Sequence, residues 1–208
     1  MNGCSEGSRK KRFNKRGAEA KVYFSKLFGI PVVIKVRDPK GYRIRELDES
    51  LRAGRTRTEG RSLLAADRNG VNVPKIFHAG KYELVIERKE GKLMKDSKKI
   101  DPKTYRQIGK MLAKMHGAGI THGDFTPANV MLTKEGPSII DFGLAEFSKD
   151  SEERAIDLLL MKRSIGKNYA HFFSGYKELN GWKAVLKKLE EVETRGRYHA
   201  RGKKEEAE

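Results

Sequence analysis

The segment from His122 to Asn129 contains an aspartate, Asp124, and ends on an asparagine five positions later; a second aspartate opens Asp141-Phe142-Gly143. Asp124 is suited to accept the proton of an attacking hydroxyl group. Asn129 and Asp141 offer the oxygen ligands that Mg²⁺ prefers, and Mg²⁺ commonly bridges such ligands to the phosphates of a nucleotide. This order and spacing predict phosphoryl transfer from ATP, with Asp124 as the catalytic residue and Asn129 and Asp141 as metal ligands.

These two segments resemble the protein-kinase pattern H-R-D-L-x-x-x-N followed by D-F-G. Gly123 stands where that pattern has arginine, so the usual partner of an activation-loop phosphate is missing. The sequence after Gly143 is short and has no A-P-E motif, so we expect neither activation-loop regulation nor a large peptide-docking lobe. We interpret His122 as structural support. Asp157 is expected either to brace the catalytic loop or to be a solvated helix residue.

Candidate ATP contacts also occur in the first half of the chain. Lys35 ends the run P-V-V-I-K, which is close to the V-A-I-K strand that presents a lysine to the phosphates. Because an unpaired buried charge is expensive, such a lysine needs an anionic partner, and we predict Glu59. Gly17 is the middle glycine of a degenerate glycine-rich loop. Glu87 and Lys89 bound the segment whose backbone is predicted to bind adenine. Alternatively, Lys35 is one of many surface lysines, and the segment from Glu87 to Lys89 is an ordinary strand end.

Composition limits the classes of protein to consider. The 208 residues include 45 Lys and Arg against 28 Asp and Glu, a formal charge of +17, and one cysteine. A single cysteine excludes an internal disulfide framework and a thiolate metal cluster. No apolar run is long enough to cross a membrane and no secretory signal is visible, so we expect a cytoplasmic protein. The positive charge favours polyanionic partners, above all nucleic acid, unless it serves only solubility or stability at high temperature.

The apolar pattern predicts an α+β protein, and the resemblance of the two catalytic segments to the protein-kinase pattern implies a minimal bilobal, protein-kinase-like fold. We expect a β-rich N-lobe with one long helix that carries Leu47, Leu51, Leu63 and Leu64 on a helical period and closes at Asn69-Gly70. A second helix should begin at Pro102 with Asp101 as N-cap and end at Gly117, and its apolar face should consist of Tyr105, Ile108, Leu112 and Met115. The predicted strands are 22–25, 31–36, 72–76, 83–87, 130–132 and 138–140, and the predicted helices are 45–69, 102–117, 152–164 and 182–193.

The same pattern suggests a division of the chain into four parts. Residues 1–16 are polar and basic and are expected to be mostly disordered. We place a basic arm at 1–14, the kinase N-lobe at 15–87, a reduced, helical C-lobe at 88–194 and a charged tail at 195–208.

The His-Gly-Asp form of the catalytic loop and the small C-lobe resemble the atypical kinases: the RIO kinases, the aminoglycoside phosphotransferases and the small kinase of the KEOPS complex. Several segments resemble the last of these, an archaeal-type atypical serine/threonine kinase, most closely. The likeness extends over about residues 15–200. Its segments are Gly17–Ala20, which resembles a G-A-E-A loop, Tyr42–Asp48, Arg57–Leu64, which resembles R-x-E-A-R-x-L-L, Asn72–Ile76, and the Arg-rich tail at Arg195–Arg197.

This resemblance implies an enzyme that uses ATP and Mg²⁺ as an autophosphorylating kinase or an ATPase. It also implies a stable complex with a metal-containing, Kae-type threonylcarbamoyl transferase that modifies adenosine in tRNA, with other KEOPS subunits on the N-lobe. The chain would reach tRNA through the complex, and no membrane would be involved.

Two other functions stay open. A RIO-like or small-molecule phosphotransferase is one, although aminoglycoside enzymes usually carry a larger, acidic C-lobe for their cationic substrates. A pseudokinase scaffold that binds RNA is the other, although pseudokinases typically lose the lysine, the catalytic aspartate or the metal ligands, all of which are present in this chain.

Overall fold

The computed structural model describes the backbone of residues 12–16 and 20–205 and the side chains of residues 20–195. The architecture is α+β, as predicted from the sequence. The chain divides into two compact units. One consists of the residues up to Arg57 together with Ile76–Arg88, and the other consists of Thr58–Lys75 together with the residues from Lys89 onward.

The first unit is built on a five-stranded antiparallel sheet. A turn at Phe28-Gly29 joins two neighbouring strands of this sheet, and both of its residues have positive φ angles, 48° and 83°. Such turns match the twist of an antiparallel hairpin. The strands are β1 (Arg12–Arg16), β2 (Lys21–Leu27), β3 (Ile30–Val36), β4 (Ile76–Ala79) and β5 (Glu83–Glu87), in the order β1-β2-β3-β5-β4.

Two expectations for this part of the chain are wrong. Arg12–Arg16 form β1, not a disordered arm, because they pair with the free edge of β2. The strand expected at 72–76 begins only at Ile76. Pro74 has no N–H to donate to a sheet, and the carbonyl oxygen of Asn72 accepts hydrogen bonds from the Ile139 N–H and the Ser138 hydroxyl, at 2.9 and 3.1 Å.

Helix α1 (Arg45–Arg68) lies between β3 and β4 in the sequence. The predicted leucine face is wrong for three of its four members: Leu63 is buried, but Leu47 and Leu64 are 54% and 44% exposed and Leu51 is 36% exposed. The buried positions follow a different helical face, and polar residues hold most of it, so an apolar pattern cannot reveal it. These buried polar residues are Asp48, Thr56, Glu59 and Ser62.

The second unit is mainly helical. Its strands are β6 (Lys92–Leu93), β7 (Ile120–Thr121), β8 (Val130–Thr133), β9 (Gly136–Ile139) and β10 (Glu146–Phe147); β8 pairs with β6 and β9, and β7 pairs with β10. Its helices are α2 (Pro102–Gly117), α3 (Ser151–Ile165), α4 (Tyr169–Tyr176) and α5 (Trp182–Glu205). Helix α4 is absent from the sequence prediction, and α5 continues beyond residue 193, where its end was predicted.

Helix α2 is the centre of this unit. The Asp101 carboxylate accepts a hydrogen bond from the Thr104 N–H at 2.9 Å, which confirms the predicted N-cap. All four residues of the predicted apolar face are buried. Helix α2 meets α4 so closely that a Cβ atom on Gly109 would lie 1.9 Å from the Phe172 carbonyl oxygen. Within the part of the chain that the structure describes, no helix is long and apolar enough to cross a membrane.

Candidate active site

The loop between β7 and β8 brings two of the predicted site residues into contact. A short 3₁₀ turn, Pro127–Asn129, ends this loop. The Asn129 side-chain nitrogen donates to the Asp124 carbonyl oxygen at 2.8 Å and to the Asp124 carboxylate oxygen Oδ2 at 2.9 Å. Both acceptors are oxygens, so the orientation of the amide is fixed and its own oxygen, Oδ1, is left to bind another group.

His122 supports this loop from within the core. Its Nε2 lies 3.2 Å from the Ile140 carbonyl oxygen, and its Nδ1 accepts from the Asp124 N–H at 3.3 Å. A carbonyl oxygen only accepts, so Nε2 carries the proton. Burial lowers the pKa of His122, which keeps the ring neutral. The ring packs beside Phe125 and Phe142, with centroids 5.5 and 5.2 Å away.

β9 ends at Ile139, and Ile140 and Asp141 follow it. The Ile140 N–H donates to the Asn129 carbonyl oxygen at 2.9 Å. This bond places the backbone at Asp141 beside that of Asn129. The φ angle of Asp141 is 63°, an uncommon conformation for a residue other than glycine. Strained backbone of this kind often marks a functional position. Among the described residues, no three His, Cys, Asp or Glu side chains form a group that could hold a metal ion.

Asp157, on α3, holds the backbone of the catalytic loop. Its carboxylate is fully buried and accepts from two consecutive amides, the His122 N–H at 2.7 Å and the Gly123 N–H at 2.9 Å. Of the two expectations for Asp157, the brace is therefore the one that the structure shows. The two bonds fix the backbone of His122 and Gly123, the two residues immediately before Asp124.

Two further residues, His116 on α2 and Tyr176 on α4, support Asp157. His116 Nε2 lies 3.1 Å from Asp157 Oδ2, and His116 Nδ1 lies 2.7 Å from the Tyr176 hydroxyl. Burial lowers the pKa of His116 although the Asp157 carboxylate acts in the opposite direction, and burial raises the pKa of Tyr176. A neutral His116 that donates to Asp157 and accepts from Tyr176 satisfies all three groups. The sequence analysis assigned His116 no function. Its place next to Met115, on the apolar face of α2, could have indicated that it is buried.

Gly123 has a structural reason to replace the arginine of the kinase pattern. Its φ angle is 78°, and a Cβ atom at this position would lie 2.4 Å from the Leu144 carbonyl oxygen. Real Cβ atoms do not approach an oxygen so closely, so any side chain would force the backbone to move.

Lys35 and Glu59, two further candidates for nucleotide binding, belong to different units. Lys35 is half-buried on β3, the central strand of the sheet, opposite Val22 on β2 and Leu84 on β5. Glu59 is 3% exposed on the part of α1 that belongs to the second unit. The pairing of Lys35 with Glu59 stays a prediction, and Gly17 lies outside the described residues.

The predicted adenine-binding segment follows β5. Glu87 is the last residue of this strand and stands opposite Val32, and the Arg88 N–H donates to the Pro31 carbonyl oxygen at 3.1 Å. Lys89 is the first residue of the second unit after this strand. The role of Glu87 and Lys89 in nucleotide binding stays a prediction.

Comparison with known proteins identifies the family. The RIO domain family matches residues 40–178. The KEOPS complex subunit Bud32 of Pyrococcus abyssi is 38% identical over an alignment that covers 90% of this chain and 96% of that protein. The chain belongs to the Bud32 family. A second Bud32 relative, the "Probable serine/threonine-protein kinase BUD32 homolog" of Archaeoglobus fulgidus, is 38% identical over 80% of this chain and 88% of its own length.

A longer relative and a solved structure extend this result. The "Probable bifunctional tRNA threonylcarbamoyladenosine biosynthesis protein" of Methanothermobacter thermautotrophicus is 35% identical over 88% of this chain, which covers 36% of that protein. The Rio2 kinase of Chaetomium thermophilum, solved with ADP, Mg²⁺ and phosphoaspartate, has the same fold: its TM-score is 0.64 at 18% identity, over 92% of this chain and 72% of that one. As a Bud32-family protein with a RIO domain, the chain is an atypical kinase or ATPase, as the sequence predicted.

Proposed function

We propose that this Bud32-family protein uses ATP and Mg²⁺ to transfer the γ-phosphoryl group to a hydroxyl group or to water, with Asp124 as its catalytic residue. The observation that carries the proposal is the contact between Asn129 and the Asp124 carboxylate, on a loop whose backbone Asp157 fixes. A buried anchor of this kind holds a reacting group in one position before the substrate arrives.

The Asp124 carboxylate has one oxygen available for chemistry. Oδ2 accepts from the Asn129 amide, and Oδ1 has no hydrogen-bond or ion-pair partner among the described residues. Asp124 is partly exposed, so a hydroxyl group can approach it. We assign Oδ1 the task of accepting the proton of the attacking hydroxyl group.

Asn129 and Asp141 would hold Mg²⁺. The donor set fits this ion because Asn129 presents an amide oxygen, Asp141 presents a carboxylate, and Mg²⁺ usually takes few protein ligands together with phosphate oxygens and water. When bound, the ion would neutralise negative charge on the phosphates. Asn129 would thus serve two groups, with its nitrogen on Asp124 and its oxygen on the metal.

The groups before residue 90 would bind the nucleotide. Lys35 would contact the phosphates and pair with Glu59, as its position on the central strand and the burial of Glu59 support. The loop that contains Gly17 would cover the phosphates, and the backbone from Glu87 to Lys89 would bind adenine. Lys35→Ala should raise the KM for ATP, whereas Lys26→Ala, an exposed lysine on β2, should not. Equal values for the two variants would remove Lys35 from the site.

We further propose that the protein is a cytoplasmic subunit of the KEOPS complex, where it supports threonylcarbamoyl-adenosine modification of tRNA. The name of the Pyrococcus relative supports membership. The longer, bifunctional Methanothermobacter relative supports a close link with a second activity in the same process. The partner would be the Kae-type threonylcarbamoyl transferase, and the complex would bring tRNA to the chain. A RIO-like kinase outside KEOPS is the second candidate, which the RIO domain match favours.

The release or transfer of labelled γ-phosphate, with and without the transferase and tRNA, tests this proposal. Activity that requires Mg²⁺ and changes when both partners are added would support a KEOPS subunit. Asp141→Asn should weaken Mg²⁺ binding and so raise the Mg²⁺ concentration needed for half-maximal activity. It should not disturb the fold, since asparagine tolerates a positive φ angle. Activity that is the same with and without both partners would favour the RIO-like kinase. If no mixture released or transferred the γ-phosphate, the proposal that the chain is an enzyme would be refuted.

A further inference from the structure

A cavity of about 380 Å³ lies in the second unit at the C-terminal end of α2, and its described lining includes no residue of the loop that carries Asp124. Four cationic side chains and one carboxylate line it: Lys110, Lys114, Lys149, Arg154 and Glu178. The lining therefore carries a formal charge of +3. We call it the α2-end cavity. Nothing in the phosphoryl-transfer chemistry uses these five side chains.

Two of the lysines already have a partner within the protein. The Lys110 ammonium group lies 2.6 Å from the Glu178 carboxylate, and both side chains are about half exposed. The Lys114 ammonium group donates to the Gly70 carbonyl oxygen at 3.1 Å. Lys149 differs, since it makes no hydrogen bond or ion pair with any described residue although its stem packs over Gly119.

Arg154 contributes a donor without an acceptor. One terminal nitrogen of its guanidinium group, NH2, donates to the His116 carbonyl oxygen at 2.8 Å. Its Nε is buried and donates to no acceptor among the described residues. A buried donor that lacks a partner is costly, and a ligand oxygen would satisfy it.

Helix stabilisation accounts for only part of this arrangement. Cations near the C-terminus of α2 offset the negative end of its dipole, which explains the presence of Lys114 in the last turn and the contact of Arg154 with the His116 carbonyl oxygen. Lys149 lies in the segment between β10 and α3. It makes no hydrogen bond with the last turn of α2, so the helix dipole does not explain its position in the same way. Four cations around one cavity repel each other, and a bound anion would relieve that repulsion.

We propose that the α2-end cavity binds phosphate groups of an RNA backbone. Among the described residues, no Phe, Tyr or Trp lines the cavity, so they offer no aromatic ring on which a base could stack, and the lining is suited to phosphate contacts instead. The formal charge of +17 would draw in a long polyanion more strongly than a short acidic peptide. The choice of tRNA as the RNA rests on the proposed function.

The test measures the affinity of the full-length chain for labelled tRNA between 50 and 200 mM salt, without ATP. Each phosphate contact contributes about 0.9 to the slope of log K against log salt, so over this fourfold range it changes affinity about 3.5-fold. Lys149→Ala should make the slope of log K against log salt shallower by about 0.9, the contribution of one phosphate contact. Glu178→Gln should tighten binding, because it removes the only carboxylate of the lining. Lys103→Ala is the matched control, an exposed lysine at the other end of α2, about 10 Å along the helix axis from Lys110 and about 16 Å from Lys114.

The outcomes separate this proposal from the enzyme. A shallower slope for Lys149→Ala, tighter binding for Glu178→Gln and a wild-type slope for Lys103→Ala would support the site. No tRNA binding, equal slopes for Lys149→Ala and Lys103→Ala, or no gain in Glu178→Gln would overturn it. Without tRNA, ATP hydrolysis by Lys149→Ala should equal that of the wild type, so a failed RNA site leaves the phosphoryl-transfer proposal standing.

Discussion

Replacement of Gly123 by alanine should disturb the catalytic loop more than its size suggests. Two separate effects contribute. The φ angle of 78° is unfavourable for alanine by about 1–2 kcal/mol. The new Cβ atom would also meet the Leu144 carbonyl oxygen at 2.4 Å, and relief of such a contact by backbone movement typically adds about 1–3 kcal/mol. We expect the free energy of unfolding to fall by about 2–5 kcal/mol. The Gly123 N–H also binds Asp157, so the movement would displace Asp124.

Two matched variants separate these effects. Gly181 has a φ angle of 82° but open space where a Cβ atom would be placed, so Gly181→Ala should lose only the conformational part. Gly54, inside α1, has neither a positive φ angle nor a neighbour within 4 Å, and Gly54→Ala should stabilise the helix by up to about 1 kcal/mol. Urea unfolding gives the three free energies, and ATP hydrolysis of the folded variants gives the rates. Equal stability of Gly123→Ala and Gly181→Ala, with full activity in both, would refute the argument.

Three other predictions concern the contact between α2 and α4, the two buried histidines and Asp157. Gly109→Ala and Gly175→Ala should each destabilise the protein by more than 2 kcal/mol in urea unfolding, because a Cβ atom would lie 1.9 or 2.0 Å from a backbone oxygen of the facing helix. Stability should fall as the pH drops below about 6.5, since the lowered pKa values of His116 and His122 leave the unfolded chain with more bound protons; each histidine contributes up to about 1.4 kcal/mol per pH unit until its folded-state pKa is reached. Asp157→Asn should lower kcat about tenfold or more while the KM for ATP changes little, because an amide cannot accept from both loop N–H groups and from His116.

Each of these expectations has a result that would contradict it. A glycine variant as stable as the wild type would mean that the helices separate at little cost. A stability that is flat between pH 7 and pH 5 would mean that the two histidines take up protons in the folded protein at the same pH as in the unfolded chain. If Asp157→Asn raised the KM for ATP and left kcat intact, the carboxylate would serve nucleotide binding and would not position the loop.

The catalytic loop could be predicted because its chemistry is local in sequence. Five positions separate Asp124 from Asn129, and the structure joins their side chains directly. The limits of α2 could be predicted for a similar reason, since the Asp101 cap acts within the first turn and the helix ends at Gly117, as predicted. In both cases, neighbours in the chain determine the conformation.

Contacts between distant segments explain what the sequence did not reveal. Helix α4 depends on its close approach to α2, where Gly175 meets a residue of a different helix. His116 lies 41 positions before Asp157 and 60 positions before Tyr176, so no local pattern links them. The leucine face predicted for α1 failed because the helix buries Asp48, which is satisfied by ion pairs and not by apolar contacts.

The most direct test of the central claim is single-turnover conversion of ATP by Asp124→Asn, with ATP affinity measured on the same sample. Asp96→Asn, an exposed aspartate of the same unit, is the control. A positioned general base contributes about 10²–10⁴-fold to a rate. We therefore expect a loss of at least about 100-fold for Asp124→Asn, with ATP affinity near that of the wild type and no loss for Asp96→Asn. A rate equal to that of the wild type would show that Asp124 is not the proton acceptor and that the site has been assigned wrongly.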